Sequence, residues 1–136
     1  MKAPLFDEII SISQNIADAS ASNNDDARES SYKALIKLCA NNENSPKDHP
    51  LQWEALADFT LDSEQSIDIY QKGLDCAHRL ALVNSTASIY LAMGMRYQEM
   101  EELEQAKVYG VKATELVEQI SNNDLIVEIE DFNHNL

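Results

Sequence analysis

Proline ends early in this chain. The three prolines are Pro4, Pro46 and Pro50, and nothing after Pro50 forces the backbone out of a helix except polar turns. Proline is tolerated in the first turn of a helix, where its missing N–H has no partner, so Pro4 marks a helix start and Pro46 to Pro50 a break followed by a second start. Glycine is as sparse: Gly73, Gly94 and Gly110 all fall inside helical patterns. There each costs about 1 kcal/mol relative to alanine. Close approach of a neighbouring helix offsets that cost.

The apolar periodicity divides this stretch into rods. Leu5, Ile9, Ile12 and Ile16 form one stripe of a helix over 5–21, with Phe6, Ile10 and Ser13 widening it. The polar run 22–25 ends it and offers caps for a second helix, 26–40, whose Tyr32, Leu35, Ile36 and Cys39 share a face. Residues 41–48 are rich in asparagine and serine and read as a loop separating the first hairpin from the rest. A third helix covers 50–61 with Trp53, Leu56 and Ala57. Asp62 and Gln65 resemble a capping box opening a fourth helix over 63–83. Asn84 and Ser85 supply a turn into a fifth, 86–99, and a sixth runs over 102–120. The tail, 122–136, fits two periods: Leu125, Val127 and Ile129 alternate as in a strand, whereas Leu125, Ile126, Ile129 and Phe132 fall at helical spacing. A short helix is favoured, because all-helical neighbours offer no sheet edge and an exposed helix stack needs a lid. The expectation is one all-α domain over 1–136, with antiparallel hairpins at about 4–40, 50–83 and 86–120 and a cap at 122–136.

Ten lysines and arginines oppose 24 aspartates and glutamates, a formal charge of −14. Such a surface repels phosphate backbones and anionic lipid, which excludes nucleic acid and membrane as direct ligands and favours a basic partner. Between Gln98 and Asp131 ten carboxylates face only Lys107 and Lys112, a local balance of −8. Either solubility or a docking face accounts for that density. Cys39 and Cys76 sit among apolar residues and lack the spacing of a disulfide framework or a zinc site, which fits small core residues in a reducing compartment. The first residues meet Asp7 and Glu8 before any apolar run of signal-peptide length, and no later run approaches a membrane span, so a cytoplasmic location is expected.

Self-similarity at a period near 34 residues is the test for a helical solenoid, and here it succeeds once well and once partially. Tyr90, Met93, Gly94, Tyr97, Ala106 and Ala113 give the order large, leucine-like, small, aromatic, small, small. A second, looser copy is Trp53, Leu56 and Ala57, followed by Ser66, Tyr70 and Gly73, with an inter-helix segment three residues shorter. This pattern resembles the tetratricopeptide repeat, most clearly over 87–120 and more weakly over 50–84. Two departures stand out: Gly110, beside Tyr109, takes the usual second-helix aromatic position, and Glu118 takes that of the terminal proline. The resemblance implies a short right-handed solenoid whose first, third and fifth helices line a concave groove. Carried over position by position, groove residues would be Leu51, Glu54 and Asp58 on the third helix and Leu91, Met95, Gln98 and Glu99 on the fifth. Leu91 and Met95 stand where carboxylate-clamping relatives hold lysine and asparagine, which disfavours acidic tails as ligands.

No catalytic constellation assembles. His49, His78 and His134 are scattered, and no nucleophile elbow, zinc-protease helix or glycine-rich phosphate loop occurs. Carboxylate pairs four apart, such as Glu54 with Asp58, fit solvated helix faces. No enzyme activity, cofactor or metal is therefore expected. The sequence points to a protein-binding adaptor whose partner is basic or an amphipathic helix. Alternatives are a stoichiometric inhibitor (immunity protein) or secretion chaperone that sequesters a basic protein, and a homodimer that seals the open ends of the stack.

Overall fold

A computed structural model describes residues 2–136 and is all-helical, with no strand among the described residues. Its helices are α1 (Phe6–Ala21), α2 (Asp25–Asn42), α3 (Pro50–Phe59), α4 (Ser63–Arg79), α5 (Val83–Glu99), α6 (Leu103–Thr114) and α7 (Asn123–His134), with a 3-10 turn at Val117–Gln119 before α7. The tail that fitted two periods is α7, because helical spacing buries Leu125, Ile129 and Phe132 together.

Side chains open four of these helices by accepting orphan backbone N–H groups. Asn24 accepts from Ala27 at 3.1 Å, His49 through Nδ1 from Leu51 at 3.1 Å, Asp62 from Gln65 at 3.3 Å and Asn122 from Leu125 at 3.2 Å. Pro50 occupies the first turn of α3, as its missing N–H allows.

Two boundaries differ from the sequence reading. The fourth helix stops at Arg79 and the fifth begins at Val83, so the joint lies at 80–82 and not at Asn84 and Ser85. The residue that turns the chain is Ala81, at φ 55°. The Leu82 N–H returns to the Ala77 carbonyl at 2.9 Å and the Ala81 N–H to His78 at 3.1 Å. The same pair of bonds closes α1, with Asn23 at φ 56°, and α5, with Glu101 at φ 61°. Three identical three-residue joints thus link α1 to α2, α4 to α5 and α5 to α6, each built around a non-glycine residue in the left-handed region. The sixth helix ends at Thr114, short of the expected 120, and a 3-10 turn carries the chain on to α7.

Packing follows two rules. Each helix lies against its sequence neighbours, and in addition α1 touches α3, α3 touches α5, and α5 touches α7. The odd-numbered helices therefore make one continuous layer. The even-numbered helices form no comparable pairs with one another among the described residues.

Close approach occurs where side chains are missing. A Cβ added at Gly73 would lie 3.1 Å from Trp53 Cβ on α3 and 3.2 Å from Ile89 Cδ1 on α5. One added at Gly94 would meet the Phe132 ring at 3.0 Å and the Ala106 carbonyl at 3.5 Å. At Gly110 it would run into the side-chain amide of Asn133. That amide donates to the Gly110 carbonyl at 3.2 Å and to Thr114 Oγ1 at 2.9 Å. Gly110, which departs from the aromatic of the repeat pattern, makes room for α7. Ala57, Ala106 and Ala113 are fully buried, and Ser66 Oγ donates to the Ala57 carbonyl at 2.9 Å.

The C-terminal end of α3 has no left-handed joint and is closed from outside. Arg96 of α5 donates to the carbonyls of Ala57, Asp58 and Thr60 at 3.1, 3.2 and 2.8 Å, and Arg28 of α2 to that of Phe59 at 2.8 Å. Two guanidiniums thus sit on the negative end of the helix dipole and tie α2, α3 and α5 together.

Left-handed backbone costs about 1–2 kcal/mol for a residue with a Cβ. Ala81→Gly and Glu101→Gly should each raise stability by about 0.5–1 kcal/mol, the relief of strain exceeding the entropy that glycine adds to the unfolded chain. Gly94→Leu should lower it by about 1–3 kcal/mol by overpacking against Phe132. Urea midpoints at unchanged slope measure all three.

Candidate interaction face

The odd-numbered helices hold the larger part of the uncompensated charge, −9 of the formal −14. They carry ten carboxylates and a single basic residue, Arg96. The α2, α4 and α6 helices carry seven of each sign. Arg96 does not offset this face, because its side chain is only 14% exposed and is turned onto the α3 carbonyls.

Two clefts open along this layer. The first, of about 520 Å³, lies among the N-terminal ends of the odd helices and is lined by Lys2, Ala3, Phe6, His49, Leu51, Glu54 and Ser85. The second, about 480 Å³, lies between α5 and α7 and is lined by Met95, Gln98, Glu99, Glu128, Asp131, Phe132 and Asn135.

Of the groove residues read from the sequence, Leu51 and Glu54 share the first cleft, and Met95, Gln98 and Glu99 share the second. Asp58 is exposed and accepts a hydrogen bond from the Tyr70 hydroxyl. Leu91 is not available as a groove residue: it is 4% exposed and packs in one core cluster with Leu125, Ile129 and Phe132, because α7 lies over it. The expected repeat residues Trp53, Met93, Gly94, Ala106 and Ala113 are buried, whereas Tyr90 and Tyr97 are half-buried. Tyr97 stacks on Tyr109 with ring centres 5.5 Å apart, and Lys112 Nζ sits 5.7 Å from the Tyr90 ring centre and 5.9 Å from that of Tyr109.

Glu128, Asp131 and Asn135 were missed from the sequence as part of this face. Their spacing of three and four puts them on one stripe of α7, beside the buried stripe of Leu125, Ile129 and Phe132, so the signal was present once α7 is taken as a helix.

The electrostatics of the first cleft centre on Glu54. Burial pushes its carboxyl up from the ordinary value to about 7; the Ser88 hydroxyl, 2.6 Å away, pulls it back, and neighbouring Asp58 adds to the rise. The neighbouring His49 imidazole is held below its ordinary range, first by burial, which suits the neutral Nδ1 acceptor that caps α3. Elsewhere, burial raises the Cys39 thiol to about 12, which makes it an unreactive core residue. Among the described residues no group of histidines, cysteines and carboxylates is arranged to hold a metal ion. No helix among them is long and apolar enough to cross a membrane.

No family model, curated protein or solved structure matches this chain. What the face can do is therefore read from its own chemistry.

Because Glu54 binds its proton more tightly folded than unfolded, its contribution to stability is fully present below about pH 4.5 and is lost as pH rises through about 7. His49 acts in the opposite sense, so the comparison is between the parent and Glu54→Gln. Acidification from pH 8 to 5 should stabilise the parent relative to Glu54→Gln by on the order of 2 kcal/mol, read from urea midpoints at each pH.

Proposed function

We propose that this chain is a non-catalytic protein-interaction module, a short tetratricopeptide-like solenoid that receives a peptide or helix of a partner protein on its odd-numbered helices. The observation that carries this reading is the unequal packing of the two helix sets. Odd helices touch one another in a row while even helices do not, which is what a stack curved toward its odd side requires. Small residues at Ala57, Ser66, Gly94 and Ala106 sit at the crossings where the repeat pattern wants them. With α7 in the place of a further first helix, the row is extended and its last core is sealed.

The charge of that row selects against nucleic acid and anionic lipid and in favour of a basic or amphipathic helix. Inhibition or chaperoning of a basic protein would use the same face, and the adaptor reading includes it as a special case. Cytoplasmic residence accords with two buried free cysteines.

Photo-crosslinking tests the assignment of the face. A photoreactive residue at Gln98, on the odd layer, should capture a partner protein in the native host, whereas one at Lys107, on exposed α6, should not. Equal capture from both positions, or capture from neither, would overturn it.

A further inference from the structure

The second cleft combines an apolar floor with carboxylates that have nothing of their own to pair with. Met95 is 41% exposed although it is large and apolar, and Phe132 lies beside it. Glu99 faces Arg96 at 3.8 Å, but that guanidinium is already engaged with three carbonyls at the end of α3, those of Ala57, Asp58 and Thr60. Among the described residues no lysine, arginine or histidine lies within 4 Å of the Glu128 or Asp131 carboxylates. The two sit one helical turn apart on α7 with Met95 across the cleft, so a side chain carrying a cation on an aliphatic stem finds both of its needs in one place.

We propose that the cleft between α5 and α7 is a docking site for a basic amphipathic helix of a partner protein, which lays an apolar residue on Met95 beside Phe132 and directs a lysine or arginine to Glu128 and Asp131. The inference rests on the protein-binding reading above and adds to it the place and the chemistry of the occupant. Charge complementarity decides that occupant. An acidic helix meets three carboxylates, and a second copy of this chain brings a formal charge of −14 to the encounter. Methionine, unbranched and polarisable, accepts apolar side chains of different shapes, so the cation fixes the register and the floor tolerates variety. In this role α7 is a wall of the site as well as the lid of the core.

Synthetic leucine–lysine and leucine–glutamate amphipathic peptides serve as probes, with affinity read by fluorescence anisotropy. The parent should bind the lysine peptide and not the glutamate peptide. Glu128→Gln with Asp131→Asn should weaken lysine-peptide binding by about tenfold or more, and the even-layer pair Glu64→Gln with Asp68→Asn by less than about twofold. Glu128→Lys with Asp131→Lys should gain affinity for the glutamate peptide, a result that misfolding cannot produce.

Equal losses in the two neutralised pairs would show diffuse attraction and overturn the site. So would an unchanged affinity in the α7 pair or the lack of any gain on charge inversion. If the α7 pair is unaffected while crosslinking from Ser85, on the odd layer outside this cleft, captures a partner, this placement fails and the protein-binding reading stands. Absence of both sinks the two together.

Discussion

Helix approach through missing side chains is the constraint on which the structure depends. Gly73 admits Trp53 from α3 and Ile89 from α5, Gly94 admits Phe132 and the Ala106 backbone, and Gly110 admits Asn133. Gly73 and Gly94 therefore serve two crossings each and Gly110 one, and α3 through α7 are stitched by three positions that a single added carbon would disturb. Interior packing at crystal-like density leaves no slack to absorb such a carbon. The helical propensity sacrificed at these sites, about 1 kcal/mol each, is the cost of bringing backbones together.

A second dependence lies at the end of α3. Where the other early joints close their own carbonyls through a left-handed residue, this corner borrows Arg96 and Arg28 from other helices. Tyr32 adds a hydroxyl contact to buried Thr60 at 2.6 Å. The joint at 60–62 is as long as the others, but α3 ends two residues after Ala57 where α5 runs five past Gly94, and its last carbonyls are capped by neighbours. Arg96 is thereby withdrawn from the face on which its helix lies, which leaves the odd helices themselves without an exposed lysine or arginine.

Much of this was legible beforehand, and the reasons differ from element to element. The all-helical fold follows from the confinement of proline to positions up to 50 and from apolar stripes of helical period. Pro50 and the polar run before α2 located two of the helix starts closely. The joint at Ala81 was invisible, because an alanine in the left-handed region carries none of the glycine signature that usually marks a helix end. Leu91 was read as a groove position by carry-over from the repeat pattern, which does not say where the capping helix lies; α7 lies over that residue. Glu128 and Asp131 were counted as charge, yet their shared stripe acquires meaning only beside Met95. Local pattern specified the rods; which rod covers which depended on contacts between residues far apart in sequence.

The division of charge between the two helix sets has a consequence for the molecule in motion. The odd helices carry −9 of the formal −14 and the even helices are balanced, so the protein possesses a permanent electric dipole across its layers. A cationic body within a Debye length, about 8 Å at physiological ionic strength, exerts a torque on that dipole as well as a pull. Tumbling is then biased before contact, and the chain meets such a body with its odd helices already turned to the fore.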